Sequence, residues 1–232
     1  MGEITTDLIE FRNTYTPLRV IELLEASMMS DSAICKIAEK SYIHDNGFFK
    51  LVLKEDPATR AKLRLHLWNT GSDMRTSESN IHNHRWRFCS RILAGEVKYQ
   101  IFSPARLPGD PYLKYSYSRT NSTTQYNFVE SGYQNLSLVE EGTMLTGVTY
   151  SLMPNVLHRV TPLSPQLLTL VAHDPPCRPN TDVYTDRSVP IGDGTMQRLT
   201  VPEVQYLLEQ CCSIIRSANS GIPPSERRQS PY

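Results

Sequence analysis

From Tyr42 onward the chain is cut into short segments that alternate polar and apolar residues, and this pattern limits its fold more than any other feature. Segments at 49–53, 63–68, 86–93, 97–103, 112–118, 124–129, 135–139, 144–152, 157–161 and 167–173 read as strands. Gly, Pro, Asn and Asp separate them. Short strands at this density point to a closed or double-sheet all-β architecture. In 63–68 the alternation is strict: Leu63, Leu65 and Leu67 share one face, and Arg64, His66 and Trp68 share the other. Gly95-Glu96 reads as a tight turn between two strands. The stretch 103–135 holds Leu107-Pro108-Gly109-Asp110-Pro111 and a Thr/Ser/Asn cluster. It reads either as an extra hairpin over the barrel mouth or as a mobile flap.

Helices flank this region. Thr16-Pro17 is a cap with proline in the first turn, and Leu18, Ile21, Leu24 and Met28 follow at helical spacing. A second short helix starts near Asp31, with Ile34, Ile37 and Ala38 on one face. Thr200-Val201-Pro202-Glu203 is a capping box, and Val204, Leu207, Leu208, Cys211 and Ile215 form an apolar stripe behind it. The expected organisation is a helical cap over 1–40, a barrel over 41–190, a packing helix within 191–219 and a disordered tail over 220–232.

Composition narrows the function classes. Lys plus Arg equals Asp plus Glu at 24 each, so no net field favours nucleic acid or an anionic membrane. No apolar run approaches the roughly 20 residues that span a bilayer. The first residues lack the basic-then-apolar pattern of a secretory signal. Five cysteines are an odd number without framework spacing. A cytoplasmic monomer or homodimer acting on a small molecule is expected. No glycine-rich phosphate loop is present.

The chemistry gathers on histidine. In Ile81-His82-Asn83-His84 the two imidazoles point the same way if the segment is extended, and His158 lies in a second apolar, β-rich stretch. Two strand histidines at i, i+2 and a remote third make an open metal site that leaves positions for substrate.

These residues resemble the cupin superfamily, and within it the cysteine dioxygenase (thiol dioxygenase) group. The matches are His82, His84, Gly95 and Leu157-His158-Arg159-Val160, with further likeness in 42–50, Leu67-Trp68 and His173-Asp174-Pro175-Pro176. The resemblance implies a cupin, that is, a double-stranded β-helix or jelly-roll barrel, with N-terminal helices and a C-terminal packing helix. It also implies non-haem Fe(II) held by His82, His84 and His158, with O2 as cosubstrate. The glutamate of the general cupin pattern falls on Phe88 or Cys89, and its loss is a feature of the three-histidine thiol dioxygenases. The chain departs from that group as well. His173 stands where those enzymes carry a tyrosine, Thr169 and Val171 replace the partners of that tyrosine, and Lys50 replaces the arginine that holds the substrate carboxylate.

Three neutral imidazoles leave a divalent ion its full charge and favour an anionic, chelating substrate. Lys50, Arg64, His66, Trp68 and Phe88 are the candidate substrate contacts. If the Arg64–His66–Trp68 face looks inward, it holds a carboxylate and a ring; if outward, Arg64 is solvated. Arg85 and Arg87 are expected outside. His173 is expected either in the cavity as a catalytic acid–base group, without being a fourth ligand, or at a strand end bonded to a carbonyl. Zinc or another divalent ion is the alternative to Fe(II), but no general-base glutamate adjoins the ligands, which disfavours hydrolysis. The competing function is a metal-binding cupin without redox chemistry, either a zinc lyase or isomerase or a ligand-binding module.

Overall fold

The computed structural model describes residues 4–44, 47–69, 80–105, 109–119, 125–185 and 194–220. Three helices come first: α1 (Leu8–Thr14), α2 (Pro17–Met28) and α3 (Asp31–Ala38). Strands β1 (Tyr42–His44), β2 (Phe48–Glu55), β3 (Lys62–Asn69), β4 (Ile81–His82), β5 (Phe88–Ala94) and β6 (Val97–Pro104) follow. Then come β7 (Asp110–Arg119), β8 (Gln125–Met144), β9 (Thr149–Leu152), β10 (Leu157–Pro162), β11 (Gln166–His173) and β12 (Thr181–Thr185). Two short strands, β13 (Gly194–Thr195) and β14 (Gln197–Arg198), precede α4 (Val201–Asn219).

The described strands form two antiparallel sheets. The first runs β14-β1-β2-β3-β11-β5-β9 and the second β13-β8-β6-β10-β4-β12-β7. If β3, β4, β5, β6, β8, β9, β10 and β11 are lettered B to I in chain order, the sheets contain BIDG and CHEF. That is the strand order of a jelly roll, the all-β fold expected from the sequence. The turn at Gly95 joins its third and fourth strands with φ at +88°, and a Cβ there would stand 2.3 Å from the carbonyl oxygen of Gln166. Only glycine fits both demands.

Alternation assigns the faces. Leu51, Leu63, Leu65, Leu67, Leu168 and Leu170 point outward from the first sheet and pack under α2, α3 and α4. Each buried leucine contributes roughly 1.5–3 kcal/mol relative to exposure. The helices start where the sequence indicates. Thr16 caps α2, Ser30 caps α3 and Thr200 closes a complete capping box on α4. Cys211 and Cys212 are both buried, unpaired core residues. The stripe on α2 differs from expectation: Leu18 is 63% exposed and Val20 takes the buried position. No helix among the described residues is long and apolar enough to cross a membrane.

The stretch 103–135 contributes a hairpin, with 106–108 and 120–124 outside the described residues. Its strands join the second sheet laterally. β7 pairs with β12 and with the first half of β8, and the second half of β8 pairs with β6. The long β8 therefore closes the second sheet into a ring. Ile81, Phe102, Tyr112, Leu136, Leu157 and Tyr184, one from each of the six ring strands, pack together. β8 runs unbroken where the sequence pattern predicts separate strands at 124–129 and 135–139, and β12 is a strand that the pattern does not predict. Residues 221–232, the expected tail, lie outside the described residues.

Candidate metal centre and its cavity

β10 lies between β6 and β4 in the second sheet, and His158 is the direct antiparallel partner of His82. Regular pairing ends at His82, so the His-x-His segment is not one strand. Its extended course continues because Asn83, 3% exposed, is tied to Asp182 three ways. The Asn83 backbone N–H donates to the Asp182 carbonyl (3.1 Å), and its Nδ2 donates to Asp182 Oδ2 (3.0 Å). The Asp182 N–H donates to Asn83 Oδ1 (2.8 Å). The His84 N–H then donates to Pro154 O (3.1 Å). With Ile81 and Asn83 buried, His82 and His84 both turn toward His158.

One ring nitrogen from each of His82, His84 and His158 lies within 4.8 Å of the other two. The Nε2 atoms of His84 and His158 are 3.3 Å apart. Two imidazole ligands at a metal–nitrogen distance of about 2.1 Å stand roughly 3.0–3.4 Å apart, so this pair is already at ligand spacing. His82 Nδ1 faces the Asn80 carbonyl at 2.8 Å and His158 Nδ1 faces the Val156 carbonyl at 3.2 Å. A carbonyl only accepts, so both Nδ1 atoms carry the proton and both Nε2 atoms offer a lone pair. Burial lowers the pKa of all three rings, His84 well below the usual value and His158 to about 3. All three are neutral at pH 7, the state in which imidazole binds a metal. The donor set therefore fits a divalent ion such as iron or zinc.

The triad opens on a cavity of about 490 Å³ between the sheets. Lys50, Arg64, His66, Trp68 and Phe88 all line it, so the Arg64–His66–Trp68 face looks inward. Among the described lining residues there is no aspartate or glutamate, whereas Lys50, Arg64 and Arg85 are all present. Phe88 stands against the ligands, its ring centre 4.8 Å from that of His84. His66 is held neutral by burial and then by the neighbouring charges of Lys50 and Arg64. Its Nε2 is buried without a hydrogen-bond partner among the described residues.

Two placements differ from the sequence reading. Arg85, expected outside, lines the cavity because the chain bends after His84; its guanidinium carbon lies 5.1 Å from the Trp86 ring centre. Arg87 is directed away as expected, donating to Ser151 Oγ and the Thr6 carbonyl. His173 points to the inner side of β11, but it is 1% exposed and is not among the cavity-lining residues. Its ring stacks on Trp86 with centres 4.3 Å apart and planes at 22°, and Trp86 takes the place on the wall. His173 Nδ1 faces the Asp174 carbonyl at 2.7 Å. It lies outside the ligand group.

Trp86, His44 and Tyr150, which the sequence pattern does not single out, also line the cavity. Trp86 and His44 sit in irregular or very short extended segments, where period two gives no face. Tyr150 was legible in principle, since it alternates with Ser151 on β9. All six histidines of the chain gather here: five line the cavity and the sixth stacks on its wall.

No protein-family model and no curated protein matches the sequence. Solved structures resemble part of it. Hydroxypropylphosphonic acid epoxidase from S. wedmorenis is 9% identical over 57% of this chain, with a TM-score of 0.36. That match spans about half of the epoxidase, 53% of its length. Hydroquinone 1,2-dioxygenase PnpCD is 10% identical over 61% of this chain and 70% of its own, with a TM-score of 0.34. An RmlC-like cupin protein from Ralstonia eutropha is 10% identical over 72% of this chain and 76% of its own, with a TM-score of 0.34. These are partial likenesses of shape and assign no activity.

Proposed function

We propose that this protein is a thiol-dioxygenase-like oxygenase that uses Fe(II) and O2 to oxidise a small chelating anion. One observation carries the reading: three neutral imidazoles converge in a cavity whose described lining holds cations and no carboxylate. His82, His84 and His158 hold the ion. Bound there, Fe(II) supplies redox chemistry and open coordination positions for a chelating substrate and O2. The other roles belong to the wall. Lys50 and Arg64 draw the anionic group in and fix its orientation. Trp86 and Phe88, packed beside His84, keep water from that side of the ligands. Burial raises the pKa of the Tyr150 phenol, so this group holds its proton and is available as a donor. The test is oxygen uptake by the Fe(II)-loaded protein against a panel of thiols, amino acids, diketones and aryl acids. Substrate-dependent uptake that disappears on replacing iron with zinc supports the reading. Turnover by the zinc form without oxygen would establish the non-redox alternative instead.

His173 acts in this scheme through Trp86, whose indole it holds by stacking. His173→Ala is expected to keep full metal stoichiometry and to lose at least about tenfold in kcat, since misplaced groups carry costs of this order. His173→Phe restores a ring against Trp86. Recovery of kcat in that variant identifies stacking as the role, and continued loss identifies the imidazole proton. Metal loss in His173→Ala would make it a ligand.

A further inference from the structure

The inner face of the first sheet is ordered in rows, because residues paired across the strands stand side by side. His44, Phe48 and Trp68 form one row. Lys50 and His66 stand in the next. Arg64 follows one row further along β3, with consecutive rows about 6.8 Å apart. The Phe48 ring lies at the centre of an aromatic cluster. Its centre is 4.5 Å from those of His44 and Trp68 and 4.8 Å from that of His66. Lys50 Nζ lies 5.4 Å from the same ring centre. The wall is therefore a run of stacked and tilted rings, His44 and Phe48 at 13° and Phe48 and Trp68 at 33°, beside two cationic side chains and the buried, unpartnered Nε2 of His66.

We propose that the cavity takes a planar aromatic anion, an aryl or heteroaryl carboxylate or phenolate. Its ring packs against the edges of this aromatic run beside Phe48 and Trp68, with its charge at Lys50 and Arg64. This rests on the cavity being the substrate site of the metal centre, and it narrows the substrate class. An aliphatic acid would gain only buried area from the same wall, whereas a ring adds the offset and edge contacts that the wall already displays at 4.5–4.8 Å. An amino-acid zwitterion fits less well, because its ammonium group meets no acidic side chain among the described lining residues. A polar substituent on the ring would satisfy His66 Nε2.

Both tryptophans of the chain, Trp68 and Trp86, line the cavity, so intrinsic fluorescence reads its occupancy directly. The full chain, metal-free and zinc-loaded, is titrated with benzoate, cyclohexanecarboxylate and benzyl alcohol. The second keeps charge and approximate volume without a flat ring, and the third keeps the ring without charge. Benzoate is expected to quench saturably and to bind about tenfold or more tightly than either control. Trp68→Leu should remove the preference for benzoate over cyclohexanecarboxylate, and Trp68→Phe should keep it. Lys50→Gln should weaken benzoate and leave benzyl alcohol unchanged. A thermal melt of each variant verifies that it is folded. Equal binding of benzoate and cyclohexanecarboxylate, binding of neither, or tighter binding of cysteine overturns the proposal. The two readings fail separately. A ring preference without oxygen uptake by the iron form would end the oxygenase reading alone. Oxygen uptake with an aliphatic thiol and no ring preference would end this one alone.

Discussion

Protein purified without a chelating tag is expected to carry close to one equivalent of divalent metal, and His158→Ala and His82→Ala are each expected to carry close to none. The reason lies in the donor count. Among the described residues, His82, His84 and His158 are the only clustered metal donors, and no carboxylate lines the cavity to replace a lost imidazole. Loss of an outer hydrogen-bond partner of a metal ligand already costs about 10–100-fold in affinity. Removing a ligand removes both a bond and the geometry that holds the other two. His158 is the more severe case, because it sits on β10 directly opposite His82 and at ligand spacing from His84. The control is Lys50→Gln, on the opposite wall, which should leave metal content unchanged. Elemental analysis decides: full metal content in both alanine variants would remove the metal centre and the oxygenase reading with it.

Why this centre was legible in the sequence, and much of its surroundings was not, follows from how each part is held. His82, His84 and His158 are readable because extended backbone imposes a period of two, which places i and i+2 together without knowledge of the partner strand. The same rule separated Arg64, His66 and Trp68 from Leu63, Leu65 and Leu67, leaving open only which face is inside. The leucines settle that, since they meet helices that the caps at Thr16 and Thr200 and the apolar face of 31–38 already announce. What holds the His-x-His segment extended was not legible, because Asn83 is fixed by Asp182, 99 residues away. The placement of Trp86 over His173 is a matter of side-chain packing that no spacing encodes. Strand β8 was split because its exposed Leu138 and Val139 do not alternate with buried neighbours. β12 was missed because its five residues are short and follow a proline-rich stretch.

Gathering neutral histidines in one interior has a thermodynamic consequence: the metal-free protein is expected to lose stability steeply as pH falls below about 6.5. Burial is the first cause of the low pKa of both His66 and His173, and the charges of Lys50 and Arg64 add to it. His44 adds further to the effect on His66, and Lys62 to that on His173. Above pH 6.5 neither group binds a proton in the folded or the unfolded state, so neither affects stability. Below it the unfolded chain takes up protons that the folded chain refuses, and each such group costs about 1.4 kcal/mol per pH unit. His66 and His173 together remove up to roughly 3 kcal/mol by pH 5.5, a large share of the 5–15 kcal/mol typical of a domain. With metal removed, the three ligand imidazoles, also low, steepen the fall. Carboxylates act in a different window. Glu55 is lowered by Lys40 and Lys62 against the cost of burial, and Asp56 by backbone hydrogen bonds from Thr59 and Ala58, so their loss comes only below about pH 4.5. Urea unfolding in a chelator from pH 7.5 to 5.0 separates the two windows. Substitution of His66 or His173 by glutamine should flatten the slope by about one group each. A stability that stays level between pH 7 and 5.5 would show that these imidazoles accept protons in the folded state, and therefore that water reaches them.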